Sequence, residues 1–366
     1  MHAVMGLRYA RESGEPAYDF DRYYEIVSAT GPPGAHAAEY PIATVAVFRA
    51  LAHLPDGRAG FGLGIVSLNL VSDATIIVAL LWGWGAVAAA AFALLVIPVI
   101  DLFFNRIDPW SVAVATLAVA AWRRDRPRLA GLALAVGTAF KLWPFVLAGM
   151  LVVSPPGATE AAGRFRRSAV ATFVATGSAM AIGALLLVGR QGLLHVVTLR
   201  GTRAWEIESL VGSLLHLAGT PARFETGAWR VGDLGRSMST VLFVTAAPLS
   251  VYGAWRAARA DRIGAGWLAA VAVLLLSSAL LSAQYVIWLA PAAAIAWTEG
   301  DRASSLLTAL AIFLTGVFWA AFPAVIAGHG PALVLVVVRN ALLLSIAVGT
   351  LARLPKGNWR GDRRAL

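Results

Sequence analysis

IGAGWLAAVAVLLLSSALLSAQYVIWLAPAAAIAWT, residues 263–298, runs for 36 residues without a charged side chain. About 20 apolar residues suffice to cross a bilayer's hydrocarbon core. The stretch therefore divides into two membrane helices meeting near Ser282-Ala283-Gln284-Tyr285. Basic residues bound it on one side, at Arg256, Arg259 and Arg262, and Glu299 to Arg302 turns the chain on the other. The same alternation of long apolar run and short basic gap recurs over most of the 366 residues. Apolar residues are 59% of the chain, charged residues only 14%, and the mean hydropathy is +0.72, whereas a soluble domain is about half apolar and a quarter charged. These figures predict an all-α polytopic membrane protein.

Working outward, Ala59–Ile100 carries one charge, Asp73, and reads as two helices broken near Trp82-Gly83-Trp84-Gly85. The run from Leu129 to Val153 is interrupted at Lys141-Leu142-Trp143-Pro144 and flanked by Arg123–Arg128 and Arg164–Arg167. Two basic flanks place both ends of that run on one side, so it dips in and returns as two short helices. Ser168–Gly189, Ser237–Trp255, Ala303–Val325 and Pro331–Ala352 complete the spans, for about nine to eleven transmembrane or re-entrant segments in a single domain, 1–366. Parity between residues 41 and 105 stays open, because 86–104 either crosses or re-enters. Taking the basic gaps and the tail, 353–366, as cytoplasmic assigns 16 of the 30 Lys and Arg to that face. The 1–40 segment and the long 190–236 loop then lie on the other face of a cell membrane. The net charge of +10 is thus topological, and nucleic acid is not expected as a partner. No cysteine is present and the six histidines lack HxxxH spacing, so no metal centre and no resident cofactor are expected.

The polar residues that remain gather at the non-basic face. Tyr18-Asp19-Phe20-Asp21-Arg22-Tyr23-Tyr24, with Glu39-Tyr40-Pro41 after it, is too polar to bury in hydrocarbon and belongs at a water-facing rim. Asp19 and Asp21 are either solvated acids or a general base that takes a proton from an attacking hydroxyl. In Asn105-Arg106-Ile107-Asp108-Pro109, Arg106 either pairs with Asp108 at a helix start or meets a phosphate. Lys141 and Arg339 lie within apolar segments, where a cation calls for a named partner; an anionic lipid phosphate and Asp73 are the two candidates. Arg203, Glu208 and Trp205 either open a helix or hold sugar hydroxyls and a ring face. Gln284 and Tyr285 either satisfy a broken backbone or line a polar pocket. The tryptophans read mostly as interfacial belt residues.

In their order along the chain, Asp19–Tyr24 with Glu39-Tyr40-Pro41, Asn105–Asp108, Ala130-Gly131 through Lys141-Leu142-Trp143-Pro144, Arg203–Ser209 and Ser282–Pro291 resemble the motifs of glycosyltransferase family 87. That resemblance implies a GT-C-like bundle. Its members take a sugar, often mannose, from a polyprenyl-monophosphate donor and pass it, with inversion, to a lipid-anchored or cell-wall glycan outside the cytoplasmic membrane. Carried over by position, the base is Asp19, with Asp21 in reserve. Arg106, Lys141 and Arg339 would hold the donor phosphate, and Tyr23, Tyr24, Glu39, Asp108, Arg203, Glu208, Gln284 and Tyr285 the sugar or acceptor. The family usually places a transmembrane helix before the first acidic loop, and the residues ahead of Tyr18 contain none; either the reading frame starts upstream or the chain departs from that fold. Two other classes compete: a lipid or sugar transporter or flippase, which predicts repeats and ionisable pairs along a central path, and a non-catalytic subunit that binds polyprenyl lipid.

Overall fold

The computed structural model describes residues 18–28, 40–154, 162–197, 204–225, 227–233 and 236–353. Within them the chain forms α1 (Tyr18–Ser28), α2 (Ile42–Leu51), α3 (Arg58–Trp84), α4 (Ala86–Leu95), α5 (Ile100–Asn105), α6 (Asp108–Arg123), α7 (Pro127–Phe140) and α8 (Ala162–Val197). It continues with α9 (Leu210–Leu217), α10 (Arg236–Arg259), α11 (Ile263–Ser277), α12 (Ala290–Thr298), α13 (Arg302–Ala320), α14 (Phe322–Ile326) and α15 (Gly330–Arg353). Tight 3₁₀ stretches occupy Ile97–Val99, Trp143–Val152 and Ala283–Leu289. Among the described residues four helices are long and apolar enough to cross a membrane, or five if the bent pair Ala86–Leu95 and Ile97–Asn105 is one span.

The breaks have local causes. Gly85 ends α3 at φ +86°, a left-handed conformation that any Cβ would strain, and its N–H caps the carbonyls of Leu80 and Leu81. Pro98, Pro109, Pro127 and Pro144 each stand in the first turn of a new helical stretch, where a missing N–H costs nothing. The bend between α4 and α5, 40°, is closely packed: a Cβ on Gly316 of α13 would stand 2.1 Å from the carbonyl oxygen of Pro98.

The connections sort into two ends. At one, Arg124 bonds the Trp82 carbonyl, Trp122 donates to the Val153 carbonyl at 2.9 Å, Arg262 to the Glu299 carbonyl at 3.1 Å, and Arg353 reaches Asp301 at 3.6 Å. This basic end gathers the gaps 123–128, 259–262 and 299–302. At the other end, Thr44 donates to the Phe140 carbonyl, Phe48 packs on Trp110, and Lys141 meets Asp108. Since α3 ends at the basic end and Asn105–Asp108 lies toward the other, α4 and α5 run as one bent pair away from the basic end to the level of Asn69. The expected dip between the two basic flanks is also there: α7 rises, the chain turns at Lys141, and Trp143–Val152 descends.

One element departs from the all-helical expectation. The 190–236 segment carries a small antiparallel sheet of β1 (Trp205–Glu206), β2 (Arg223–Glu225) and β3 (Ala228–Val231), in the order β1-β3-β2. Trp205 pairs with Val231 and Phe224 with Trp229. Its buried edge, Ala204–Ser209, threads into the bundle, where the Glu206 N–H bonds the Ala279 carbonyl at 3.0 Å. The sheet and α9 thereby close over the non-basic end.

Candidate functional site

Asp108 opens α6 and is buried; its Oδ1 accepts from Lys141 Nζ at 2.7 Å and from the Trp288 indole N–H at 2.5 Å. Lys141 reaches it because α7 stops in extended backbone at that residue, 33 positions away. The ammonium also sits 4.4 Å from the Tyr285 ring centroid and 5.0 Å from that of Trp288. The junction Ala283–Leu289 supplies both rings. They continue a stack into the core: Tyr285 on Trp288 at 4.4 Å, Trp288 on Trp143 at 5.1 Å, Trp143 on Trp267 at 5.9 Å. Trp143 donates to Ser111 Oγ at 3.0 Å, one turn along α6 from Asp108. A carboxylate, a cation and two aromatic faces are thus fixed by three separate elements.

A second layer lies under the small sheet. Glu206 accepts from Ser282 Oγ at 2.9 Å and stands 3.9 Å from Arg230. Glu208 is buried, and its Oε1 has no hydrogen-bond partner among the described residues. Its backbone carbonyl takes bonds from Arg339 Nη2 at 2.8 Å and Asn340 Nδ2 at 3.2 Å. Arg339 is fully buried in α15, lies 5.2 Å from the Phe318 ring, and keeps Nε and Nη1 without partners among the described residues. Burial, and then the neighbouring Glu206, push the Glu208 carboxyl up to about 8. Burial also raises Glu206, against the pull of Arg230. Arg106 follows α5, and Asn69 pins its loop by bonds to the carbonyls of Phe104 and Arg106 at 2.8 and 2.9 Å. Its guanidinium lies 5.5 Å from the Trp319 ring centroid, within the field of Asp108 and Glu208.

Of the residues singled out from sequence, Lys141 meets both Asp108 and Tyr285, Arg106 lies in the field of Asp108, Tyr285 and Glu208, and Arg339 in that of Glu208. Tyr23 joins through the aromatic wall: its ring stacks on Phe48 at 5.0 Å and meets Tyr40 edge-on at 5.7 Å. Tyr24 packs edge-on against Phe61 at 5.4 Å, facing α3 rather than the cluster. Gln284 is half-buried beside Tyr285. Asp21 pairs with Arg58 at the start of α3. Asn69, which marks the level of Arg106, stands eleven residues along that helix, roughly 16 Å at 1.5 Å per residue. The Asp19 backbone is in α1, but its side chain, like Glu39 and Arg203 as whole residues, lies outside the described residues.

Asp108 is held by Lys141 and Trp288 and also lies in the field of Arg106, so the pairing of Arg106 with Asp108 at a helix start stands beside the phosphate reading. Trp205, for which a ring-stacking role was one of two readings, is buried, with its indole N–H lacking a partner among the described residues. The residues not singled out are Glu206, Trp143, Trp288 and Asn340. Glu206 had a signal, standing two positions before Glu208 on the same short extended stretch. The tryptophans had none, since a belt indole and a core indole look alike in sequence. Among the described residues no group of three or more His, Asp or Glu is disposed to hold a metal ion.

The fold is similar to the crystal structure of ArnT from Cupriavidus metallidurans bound to undecaprenyl phosphate. Its TM-score is 0.50 at 18% identity, over 96% of this chain and 76% of that one. The bundle therefore has a polytopic GT-C architecture. No protein-family model matches the chain. No curated protein sequence matches it significantly.

Proposed function

We propose that the chain is a membrane glycosyltransferase that draws its sugar from a polyprenyl-phosphate-linked donor. One observation carries this reading: at the non-basic end of the bundle, Arg106 and Lys141 share the field of Asp108 beside aromatic faces, and Arg106 and Arg339 share that of Glu208. Clustering cations there is costly unless anions compensate them, and Asp108, Glu206 and Glu208 do so only in part, since Nε and Nη1 of Arg339 have no hydrogen-bond partner among the described residues. A leaving polyprenyl phosphate supplies the missing negative charge, held by donors fixed before the reaction. Tyr285 offers its ring to the sugar with Trp288 stacked behind it, and Asp108 holds Lys141 in place.

The donor proposed is a polyprenyl-monophosphate hexose, with mannose first, and the acceptor a glycolipid or cell-wall glycan. Both follow from the likeness to glycosyltransferase family 87, as does inversion. The acid of the N-terminal segment, Asp19 with Asp21 in reserve, takes the acceptor's proton; a single base suffices for direct displacement. Basic gaps retained in the cytoplasm support an active face outside a cell membrane. A second reading of the base rests on Glu208, whose carboxyl titrates near working pH at about 8.

The test is transfer of labelled mannose from polyprenyl-phosphate mannose to lipid extract by the reconstituted chain. Loss of transfer in Asp19→Ala or Asp21→Ala supports the N-terminal base. Transfer that survives both but fails in Glu208→Gln moves the role to Glu208. An intact donor under every condition, with labelled lipid moving between leaflets instead, refutes the enzyme and favours a flippase.

A further inference from the structure

We infer that the basic end carries a binding site for a phosphate-bearing anion, separate from the site above. A cleft of about 620 Å³ opens there where α3 ends, α6 ends and α12 turns into α13, lined among others by Trp84, Arg123, Arg124, Asp261, Arg262 and Glu299. That volume lies within the range of small-ligand sites. The three arginines come from two turns far apart in sequence. Each spends only part of its fork on the protein: Arg123 on Asp261, Arg124 on the Trp82 carbonyl, Arg262 on the Glu299 carbonyl. A guanidinium presents five N–H donors suited to phosphate oxygens, so among the described residues most of their donors are left for a ligand.

The counter-charge is weaker than two carboxylates suggest. Glu299 is turned away to cap α11, accepting from the Gly264 N–H at 3.2 and 3.1 Å through its two oxygens. Burial pushes its carboxyl up to about 7, with Asp261 adding to the rise and Arg123 opposing it, so it is partly neutral at working pH. The Trp84 indole N–H, in the cleft wall, has no hydrogen-bond partner among the described residues. Leu81, 45% exposed, joins the lining and makes the cleft continuous with the apolar flank of α3. A phosphate on the arginines with a hydrocarbon tail along that flank is the geometry of an anionic phospholipid, and basic pockets between membrane helices take such head groups. Inorganic phosphate shares the recognised chemistry.

The experiment uses the full chain in neutral detergent. Native mass spectrometry reads phosphatidylglycerol retained after reconstitution with phosphatidylcholine doped with it, and equilibrium dialysis reads labelled inorganic phosphate. Arg124→Gln with Arg262→Gln should weaken whichever ligand binds by about tenfold or more, while Arg302→Gln, beside Trp297 and outside the cleft lining, should not. Glu299→Gln removes counter-charge without removing an arginine and should tighten binding, an effect that misfolding does not produce. Retention of the lipid alone identifies a lipid site, and of phosphate alone a soluble-anion site. Binding of neither, equal binding by the double variant, or equal loss in Arg302→Gln overturns the inference.

Discussion

Replacing Asp108 by Leu should destabilise the chain far more than replacing Asp108 and Lys141 together. At 2.7 Å and an effective dielectric near 20, the pair's Coulomb attraction is roughly 6 kcal/mol, offset by several kcal/mol of desolvation per ion. The Asp108 side chain is 2% exposed and that of Lys141 18%, so neither can turn fully to water once its partner is gone. Breaking one side of a buried pair costs about 3–5 kcal/mol, whereas a matched apolar replacement is close to neutral. Asp108→Leu also strips the Trp288 N–H of its acceptor, which places it at the upper part of that range. For a chain of this size the apparent midpoint should fall by about 5–7 °C. The double variant Asp108→Leu with Lys141→Met should recover most of that loss. Scanning fluorimetry in detergent, at one fixed heating rate because unfolding of such chains is often irreversible, reads both. Recovered stability without recovered sugar transfer would separate the pair's structural role from its part in the reaction. An unchanged midpoint in Asp108→Leu, or a double variant as unstable as the two singles combined, refutes the buried pair.

Glu208 adds a pH dependence whose sign follows from its raised carboxyl. Between the ordinary 4.5 and about 8 the folded chain keeps a proton that the unfolded chain has released. This contribution is therefore fully favourable below the lower value and is lost as pH rises toward the upper one; Glu208→Gln should flatten the midpoint-against-pH curve across that window. Gly131→Ala should loosen α7 from α8, since the new Cβ would stand 2.2 Å from the Ala169 carbonyl oxygen; a loss of about 1–3 kcal/mol is expected from overpacking, read as a lower midpoint with the oligomeric profile unchanged. The chain has no cysteine, so single substitutions report topology without background. His329→Cys should react with an impermeant maleimide on intact cells, and Arg302→Cys only after permeabilisation; the opposite pattern inverts the bundle.

The spans were legible because hydrophobic length is a local property. The breaks at Gly85, at Lys141 and near Ser282 could be read because Gly, Lys with Pro, or Ser with Gln interrupts an apolar run there. The course of 86–104 was not legible, because a 40° bend at Pro98 and a re-entrant turn look the same in composition. Of the site, the cations stood out individually, since Lys, Arg and apolar neighbours contrast. Their partners did not. Asp108 and Trp288 are 180 residues apart, and only the fold brings them together. The sheet was invisible for a related reason: strands of two to four residues carry no alternation to detect, and burial of Glu206 depends on Ala279 and Ser282 meeting it across the bundle. The tryptophans misled in the other direction, with Trp143, Trp267 and Trp288 stacked in the interior rather than along the belt.

Whether the cation cluster holds a polyprenyl phosphate can be measured directly, by equilibrium binding of labelled polyprenyl monophosphate to the purified chain and to Lys141→Met and Arg339→Met. The wild-type chain should bind it in competition with the sugar-linked donor, and each variant, assayed below its own unfolding midpoint, should lose about tenfold or more in affinity. Equal affinity in all three proteins, or no binding by the wild type, would contradict a donor-phosphate site at the non-basic end.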